Sequence, residues 1–292
     1  MASTNTSKPK PSVSDENCEQ MVDPMTPGDD SESRLVLCDI ADGVALLTLN
    51  RPDRLNAWNL ELEAQYFGLL RDAATNPEVR VIVVTGAGRG FCAGLDMDAL
   101  KSVASDDKRK GGEFQSPTVP LTIPKPIIAA INGSVAGLGM VQALMCDIRF
   151  AAAGAKMTTS FSRRGLVAEQ GSSWLLPRLV GHAAAMDLLL SGRNILADEA
   201  LEMGLVNKVL PPDDLLPYTL AYARDMAANC SPASMAAIKA QVYGDLQLDL
   251  ADALADSAKQ VRASMGRPDF REGLISFAER RLPNFPPLPP SD

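Results

Sequence analysis

Histidine is almost missing from this sequence, since His182 is the only one among 292 residues. Zinc sites that need two histidines, including the H-E-x-x-H arrangement of metalloproteases, are therefore excluded. A Ser-His-Asp triad would have to use His182, which has no partner carboxylate in a recognisable motif. A structural histidine is the simpler interpretation, and we expect no metal site.

Paired cysteines and long apolar runs are also missing. The five cysteines are scattered and form no C-x-x-C pair, which excludes a zinc ribbon or a thioredoxin-like motif and favours free thiols in a reducing compartment. No run approaches 18 apolar residues, so we expect no membrane span. The N-terminus has neither the apolar core of a signal peptide nor the arginines of a transit peptide. These absences predict a cytoplasmic protein.

Positive charge is in the minority, with 28 Lys and Arg against 36 Asp and Glu and a net charge of −8. This balance argues against nucleic acid or an anionic membrane as a partner. Residues 1–33 carry a net charge of −5 and few apolar side chains, which predicts a disordered acidic tail. The C-terminal NFPPLPPSD is predicted to be a second frayed end, with a proline-rich tail over 286–292.

Strand and helix patterns alternate between these ends. Near-continuous apolar runs, which are typical of strands buried on both faces, predict strands at Val44–Leu49, Val79–Thr85, Ile127–Ile131 and Ile148–Ala152. Helical spacing and capping residues predict helices at Leu60–Ala73 behind Asn59, at Leu138–Met145, and from Ser231-Pro232 toward Tyr243. The fold class is therefore α/β, with one catalytic domain over 34–285 whose C-terminal part, 231–285, is helical.

Two segments rich in small residues each follow a buried strand, Phe91–Asp96 and Asn132–Gly139. The preceding Gly86–Gly90 does not complete a dinucleotide-binding fingerprint, because Phe91 stands where the third glycine is required. Backbone N–H groups at such turns can approach a negatively charged oxygen, and two that converge form an oxyanion hole. Either segment taken alone is more simply explained as a tight turn packed on a sheet.

Together these segments resemble the crotonase, or enoyl-CoA hydratase/isomerase, superfamily. The resemblance runs in order from about Leu35 to Phe285 and rests on RPDRLNAWN, GAGRGFCAGLDMD, INGSVAGLGMVQALMCDIRFA, FSRRGLVAEQGSSWLLPRLVG and LSGRNILADEALEMGLVNKV. It implies a spiral of ββα units followed by helices, assembled as a homotrimer or a dimer of trimers. It also implies an acyl-CoA thioester substrate with no separate cofactor, because coenzyme A is part of the substrate.

The resemblance further implies roles for individual residues. The backbone N–H groups of Leu95 and Leu138 would hold the thioester oxygen. Residues implied to bind coenzyme A are Asp53, Arg54, Leu55, Ala93, Asp96, Met97 and Arg280. For Arg280, an exposed helix face is an equally simple interpretation.

The acid–base groups depart from the hydratase pattern. Hydratases of the family carry two glutamates where this sequence has Val141 and Phe161, whereas Glu169 falls where double-bond isomerases carry their carboxylate. Hydration must activate water and deliver a proton, while a 1,3-proton shift needs one base. The residues therefore favour conversion of 3-enoyl-CoA to 2-enoyl-CoA by Glu169. A 2-enoyl-CoA hydratase and a non-catalytic acyl-CoA-binding protein remain alternatives, and Glu113 is a candidate second acid in a polar loop.

Overall fold

The structure is a computed structural model that describes Met1 and residues 34–96 and 115–288. Two predicted residues, Met97 and Glu113, lie outside the described residues, as do 2–33 and 289–292. The strands are β1 Val36–Ala41, β2 Val44–Leu49, β3 Val81–Gly86, β4 Gly90–Cys92, β5 Ile127–Ile131, β6 Ser134–Ala136, β7 Ile148–Ala152, β8 Lys156–Thr158, β9 Ile195–Leu196 and β10 Lys208–Leu210.

The strands form two sheets, and the chain alternates between them. The larger sheet has the order β1-β2-β3-β5-β7-β10 and is parallel except for the β1–β2 pair. The smaller sheet has the order β4-β6-β8-β9 and is parallel except for the β8–β9 pair. Each of the pairs β3–β4, β5–β6 and β7–β8 gives one strand to each sheet. This repeated step is the predicted spiral, and the α/β fold class is confirmed.

Helices connect these strand pairs and complete the C-terminal part. They are α1 Leu60–Thr75, α2 Val119–Thr122, α3 Leu138–Leu144, α4 Ser172–Ser191, α5 Ala197–Glu202, α6 Pro212–Asn229, α7 Pro232–Asp245, α8 Leu250–Met265 and α9 Pro268–Glu279. Two 3-10 turns occupy Pro52–Arg54 and Ser162–Arg164. Within the described ranges, no helix combines the length and apolar character needed to cross a bilayer.

The strongest sequence patterns are confirmed in place. Strands β2, β5 and β7 have the predicted bounds, because their apolar residues pack on both sides of the larger sheet. Asn59 caps α1, since its side chain accepts a hydrogen bond from the Leu62 amide at 2.8 Å. Ser231 caps α7 in the same way, accepting from the Ser234 amide at 3.1 Å. Strand β3 begins at Val81 rather than Val79.

The beginning of the C-terminal segment is anchored, which differs from the expectation of a frayed end at NFPPLPPSD. Phe285 is 7% exposed, and its carbonyl accepts a hydrogen bond from Arg80 Nη2 at 2.7 Å. The Asn284 amide donates to Glu272 Oε1 at 2.6 Å. Burial of one aromatic ring outweighs the ordering cost of the residues next to it.

Candidate active site

The first of the two turns rich in small residues follows β4 and is fixed by backbone pairing with Trp58. The Trp58 amide donates to the Gly94 carbonyl at 2.7 Å, and the Asp96 amide donates to the Trp58 carbonyl at 2.8 Å. In this parallel bridge the residue between, Leu95, directs its N–H away from Trp58. No described residue accepts a hydrogen bond from that N–H, so it is available to a ligand.

The second of these turns joins β6 to α3. Gly137 has φ +49° and ψ −118°, a conformation that strongly favours glycine, and it stands at the N-cap of α3. The first hydrogen bond of the helix runs from the Val141 amide to the Gly137 carbonyl at 3.1 Å. The N–H of Leu138 precedes that bond and has no partner within the helix.

The two turns meet. A β-carbon at Gly94, whose φ is +94°, would lie 2.9 Å from the Ala136 carbonyl oxygen and 3.6 Å from the Leu138 nitrogen. A β-carbon at Gly137 would lie 4.0 Å from the Gly94 Cα. Leu95 and Leu138 therefore lie on adjacent turns and line the same cleft, as expected of a pair of oxyanion donors.

This cleft has a volume of about 520 Å³, and Glu169 lies in its wall. The loop that carries Glu169 is held to the start of α4, because the Ser172 hydroxyl and amide both donate to the Glu169 carbonyl, at 2.7 and 2.9 Å. Partial burial raises the pKa of the Glu169 carboxyl above its ordinary value, since water is removed from the charged form. Among the described wall residues Glu169 is the only carboxylate.

Val141 and Phe161, the positions where the resemblance implies that hydratases carry glutamates, have different surroundings. Phe161 is 3% exposed and forms part of the cleft wall. Val141 belongs to α3 and is fully buried in the hydrophobic core. It is not among the described residues that line the cleft. Of the two apolar replacements, Phe161 is therefore the one that shields the cleft directly.

The residues predicted to bind coenzyme A are only partly brought together. Arg54, Ala93 and Asp96 line a second cavity of about 230 Å³, which adjoins the cleft through Leu95. The Asp96 carboxylate is buried and pairs with Arg51 at 2.9 Å. Asp53 is exposed in the 3-10 turn before Leu55.

Arg280 belongs to a different part of the molecule. It is exposed and takes a left-handed conformation, with φ +56°, at the C-cap of α9. It is not among the described residues that line either of the two cavities. His182 is also exposed, in α4 directly after the non-helical Gly181.

Sequence reasoning missed two polar residues of the site, Ser160 and Arg164. Ser160 lies in the cleft wall, and Arg164 lines both the cleft and the second cavity. Both follow β8, which has three residues and is too short to show a periodic pattern. The local sequence therefore did not predict a site there. The short motif FSRRG was the only available signal for Arg164.

Comparison with known proteins gives a consistent result. A family model described as enoyl-CoA hydratase/isomerase matches residues 39–287. The 1,2-epoxyphenylacetyl-CoA isomerase of Escherichia coli (strain K12) is 36% identical over 257 residues, covering 86% of this chain and 97% of that protein. A probable enoyl-CoA hydratase of Rhodobacter capsulatus is 36% identical over 250 residues, covering 85% of this chain and 96% of that protein.

Solved structures agree with the sequence relatives. A probable enoyl-CoA hydratase/isomerase from Mycobacterium abscessus has a TM-score of 0.80 at 33% identity, covering 87% of this chain and 99% of that one. An enoyl-CoA hydratase from Mycobacterium marinum is 51% identical with a TM-score of 0.63, covering 73% of this chain and 98% of that one.

Proposed function

Because the chain belongs to the enoyl-CoA hydratase/isomerase family, we propose that it moves the double bond of a 3-enoyl-CoA to the 2-position, using Glu169 as its one base. The observation that carries the proposal is the composition of the cleft. One carboxylate of raised pKa, that of Glu169, lines the same cleft as Leu95 and Leu138, and the apolar Phe161 lines it where the resemblance implies one of the hydratase glutamates. One base is sufficient for a proton shift, whereas water addition is work usually shared by two groups.

The proposed reaction proceeds in two proton transfers. The thioester oxygen accepts hydrogen bonds from the N–H groups of Leu95 and Leu138, and the Glu169 carboxylate removes a proton from C2. The electron pair of the C2–H bond moves into a dienolate whose charge rests on the thioester oxygen. Glu169 then returns the proton at C4, which leaves the double bond between C2 and C3. Phe161 limits the access of water to this region.

The alternative reaction is hydration of 2-enoyl-CoA, which is the reaction indicated by the name of one relative, a probable enoyl-CoA hydratase. The test is to incubate the protein separately with a 3-enoyl-CoA and a 2-enoyl-CoA and to separate the products by chromatography. We expect 2-enoyl-CoA from the first and little 3-hydroxyacyl-CoA from the second. Rapid hydration without movement of the double bond would replace isomerase by hydratase. Binding of both thioesters with no turnover would identify an acyl-CoA-binding protein.

The second cavity is proposed to hold part of the coenzyme A moiety. Two arginines, Arg54 and Arg164, line it, and no described residue accepts a hydrogen bond from either side chain. Guanidinium groups suit phosphate because their N–H donors match its oxygens. In this proposal coenzyme A enters as part of the substrate, and neither a metal nor a redox cofactor takes part.

Replacing Arg164 by glutamine is expected to raise KM for an acyl-CoA by at least about tenfold and to leave kcat within about twofold, because a charge-assisted contact made equally in all states is lost. The matched control is Arg163→Gln, since Arg163 carries the same charge one residue away and instead donates to the Ser191 carbonyl at 2.8 Å. Steady-state kinetics measure both variants. Equal KM values would contradict a coenzyme A contact at Arg164.

The homotrimer or dimer of trimers implied by the family is also proposed. Ile238 and Val242 on α7 and Leu250 and Leu254 on α8 are 58–76% exposed, a concentration of apolar surface that assembly of several copies would bury. In helix α8, which runs over Leu250–Met265, no residue is buried in the single chain.

A further inference from the structure

Ser160 has a backbone conformation that serine seldom adopts. Its φ is +52°, in the left-handed region, where a side chain crowds the backbone and costs stability. The position follows β8 and is held by a hydrogen bond from the Ser160 amide to Thr158 Oγ1 at 3.1 Å. Glycine would adopt this conformation without that cost, so the serine side chain stands at this position against the local preference of the backbone.

The Ser160 hydroxyl lies beside the two turns that form the oxyanion site. A β-carbon at Gly137 would lie 3.7 Å from Ser160 Oγ and 4.0 Å from Gly94 Cα, so the hydroxyl and Gly94 face the same side of Gly137. Ser160 also lines the cleft together with Leu95, Leu138 and Glu169. Among the described residues, none forms a hydrogen bond with this hydroxyl.

We propose that Ser160 is a catalytic residue whose hydroxyl donates a third hydrogen bond to the thioester oxygen, beside the N–H groups of Leu95 and Leu138. A hydroxyl rotates freely, so it can follow the oxygen as negative charge grows on it. A hydrogen bond to a charged oxygen is stronger than one to a neutral carbonyl, so the gain falls mainly on the enolate-like transition state. The inference rests on the proposed acyl-CoA chemistry but not on which group moves the proton.

Two substitutions separate the hydroxyl from the strain. Ser160→Ala removes the hydroxyl and keeps a β-carbon in the left-handed conformation, whereas Ser160→Gly removes both. We expect each variant to lower kcat by at least about tenfold with KM within about twofold, because the lost interaction belongs to the transition state. The melting temperature of Ser160→Gly should be no lower than that of the natural protein. The matched control is Ser162→Ala, which removes an exposed hydroxyl two residues away.

A second readout measures enolate stabilisation directly. A 3-ketoacyl-CoA binds as an unreactive thioester, and its enolate is detected by ultraviolet absorbance as a function of pH. We expect Ser160→Ala and Ser160→Gly to raise the apparent pKa of the bound thioester by about one unit relative to the natural protein and to Ser162→Ala. If Ser160→Ala fails to fold, Ser160→Gly carries the comparison alone.

The outcomes distinguish this inference from the proposed function. If the protein does not move double bonds but both Ser160 variants raise the apparent pKa of the bound thioester, the isomerase proposal fails and the role of Ser160 stands. If isomerisation proceeds and the Ser160 variants retain kcat and the apparent pKa of the natural protein, the inference is overturned and the isomerase proposal stands. Unchanged activity in a more stable Ser160→Gly would likewise assign Ser160 no part in the reaction.

Discussion

Replacing Glu169 by glutamine is expected to lower the turnover of a 3-enoyl-CoA by at least about a hundredfold, the usual scale for a general acid–base group. Glutamine keeps the size of the side chain but cannot accept the proton from C2. No other described residue of the cleft wall carries a carboxylate that could take its place. KM should change little, because the contacts of the thioester oxygen with Leu95 and Leu138 remain.

The pH dependence gives this prediction a second signature. The base must be ionised, so kcat/KM should fall as the pH drops through the Glu169 pKa, which burial raises above 4.5. The residual activity of Glu169→Gln should lack that limb. Glu202→Gln, which removes an exposed carboxylate at the end of α5, is the control and should retain both the rate and the pH profile.

As the pH rises through the Glu169 pKa, the natural protein should gain activity but lose stability. Because the folded-state pKa of Glu169 is raised, the protonated side chain favours the fold at pH values below its ordinary pKa. That contribution is lost as the pH rises through the raised value, whereas glutamine stays neutral throughout. As the pH rises from the ordinary pKa to the raised one, the free energy of unfolding of Glu169→Gln should therefore increase relative to that of the natural protein.

Near-normal turnover of the 3-enoyl-CoA by Glu169→Gln would contradict the first prediction, because it would place the base elsewhere in the chain.

The fold could be predicted wherever a single segment had a recognisable hydrophobic pattern. Ile127–Ile131 and Ile148–Ala152 are apolar throughout because each is buried on both faces of a parallel sheet, and a strand of that kind is visible in sequence. The smaller sheet could not be predicted in this way. Its strands have two or three residues, too few for any periodicity, and they form only because distant segments pair.

In the site, too, local features could be predicted from the sequence, whereas contacts between distant segments could not. The glycine turns were visible, but their convergence rests on contacts between residues more than forty positions apart, such as Gly94 with Ala136. That the two turns converge was predicted from the family resemblance and not from local spacing. Gly86 is a simple example of a glycine whose role local spacing does not reveal. Its β-carbon would lie 2.3 Å from the Gly90 carbonyl oxygen, so this glycine allows a close approach of the backbone within the β3–β4 connection.

Replacing Gly94 by alanine is expected to lower kcat by about a hundredfold, which is the scale of losing one oxyanion donor. Two effects act together. Gly94 has φ +94°, which alanine adopts only with strain, and the new methyl group would lie 2.9 Å from the Ala136 carbonyl oxygen. The turns that carry Leu95 and Leu138 must move apart to relieve this contact, so their N–H groups can no longer approach one oxygen together.

Two controls separate that displacement from other effects. Gly154→Ala introduces the same kind of strain at φ +78°, but nothing lies within 4 Å of its β-carbon, so it should lose stability and keep its rate. Leu95→Ala shortens a side chain while leaving the backbone N–H in place, so we expect its kcat to stay within about threefold of the natural value. Circular dichroism and steady-state kinetics check all three variants. If Gly94→Ala stays folded and keeps its kcat, the Leu95 N–H does not hold the thioester oxygen. If Leu95→Ala instead loses activity as severely as Gly94→Ala, the side chain of Leu95 and not its backbone N–H would be the group on which the reaction depends.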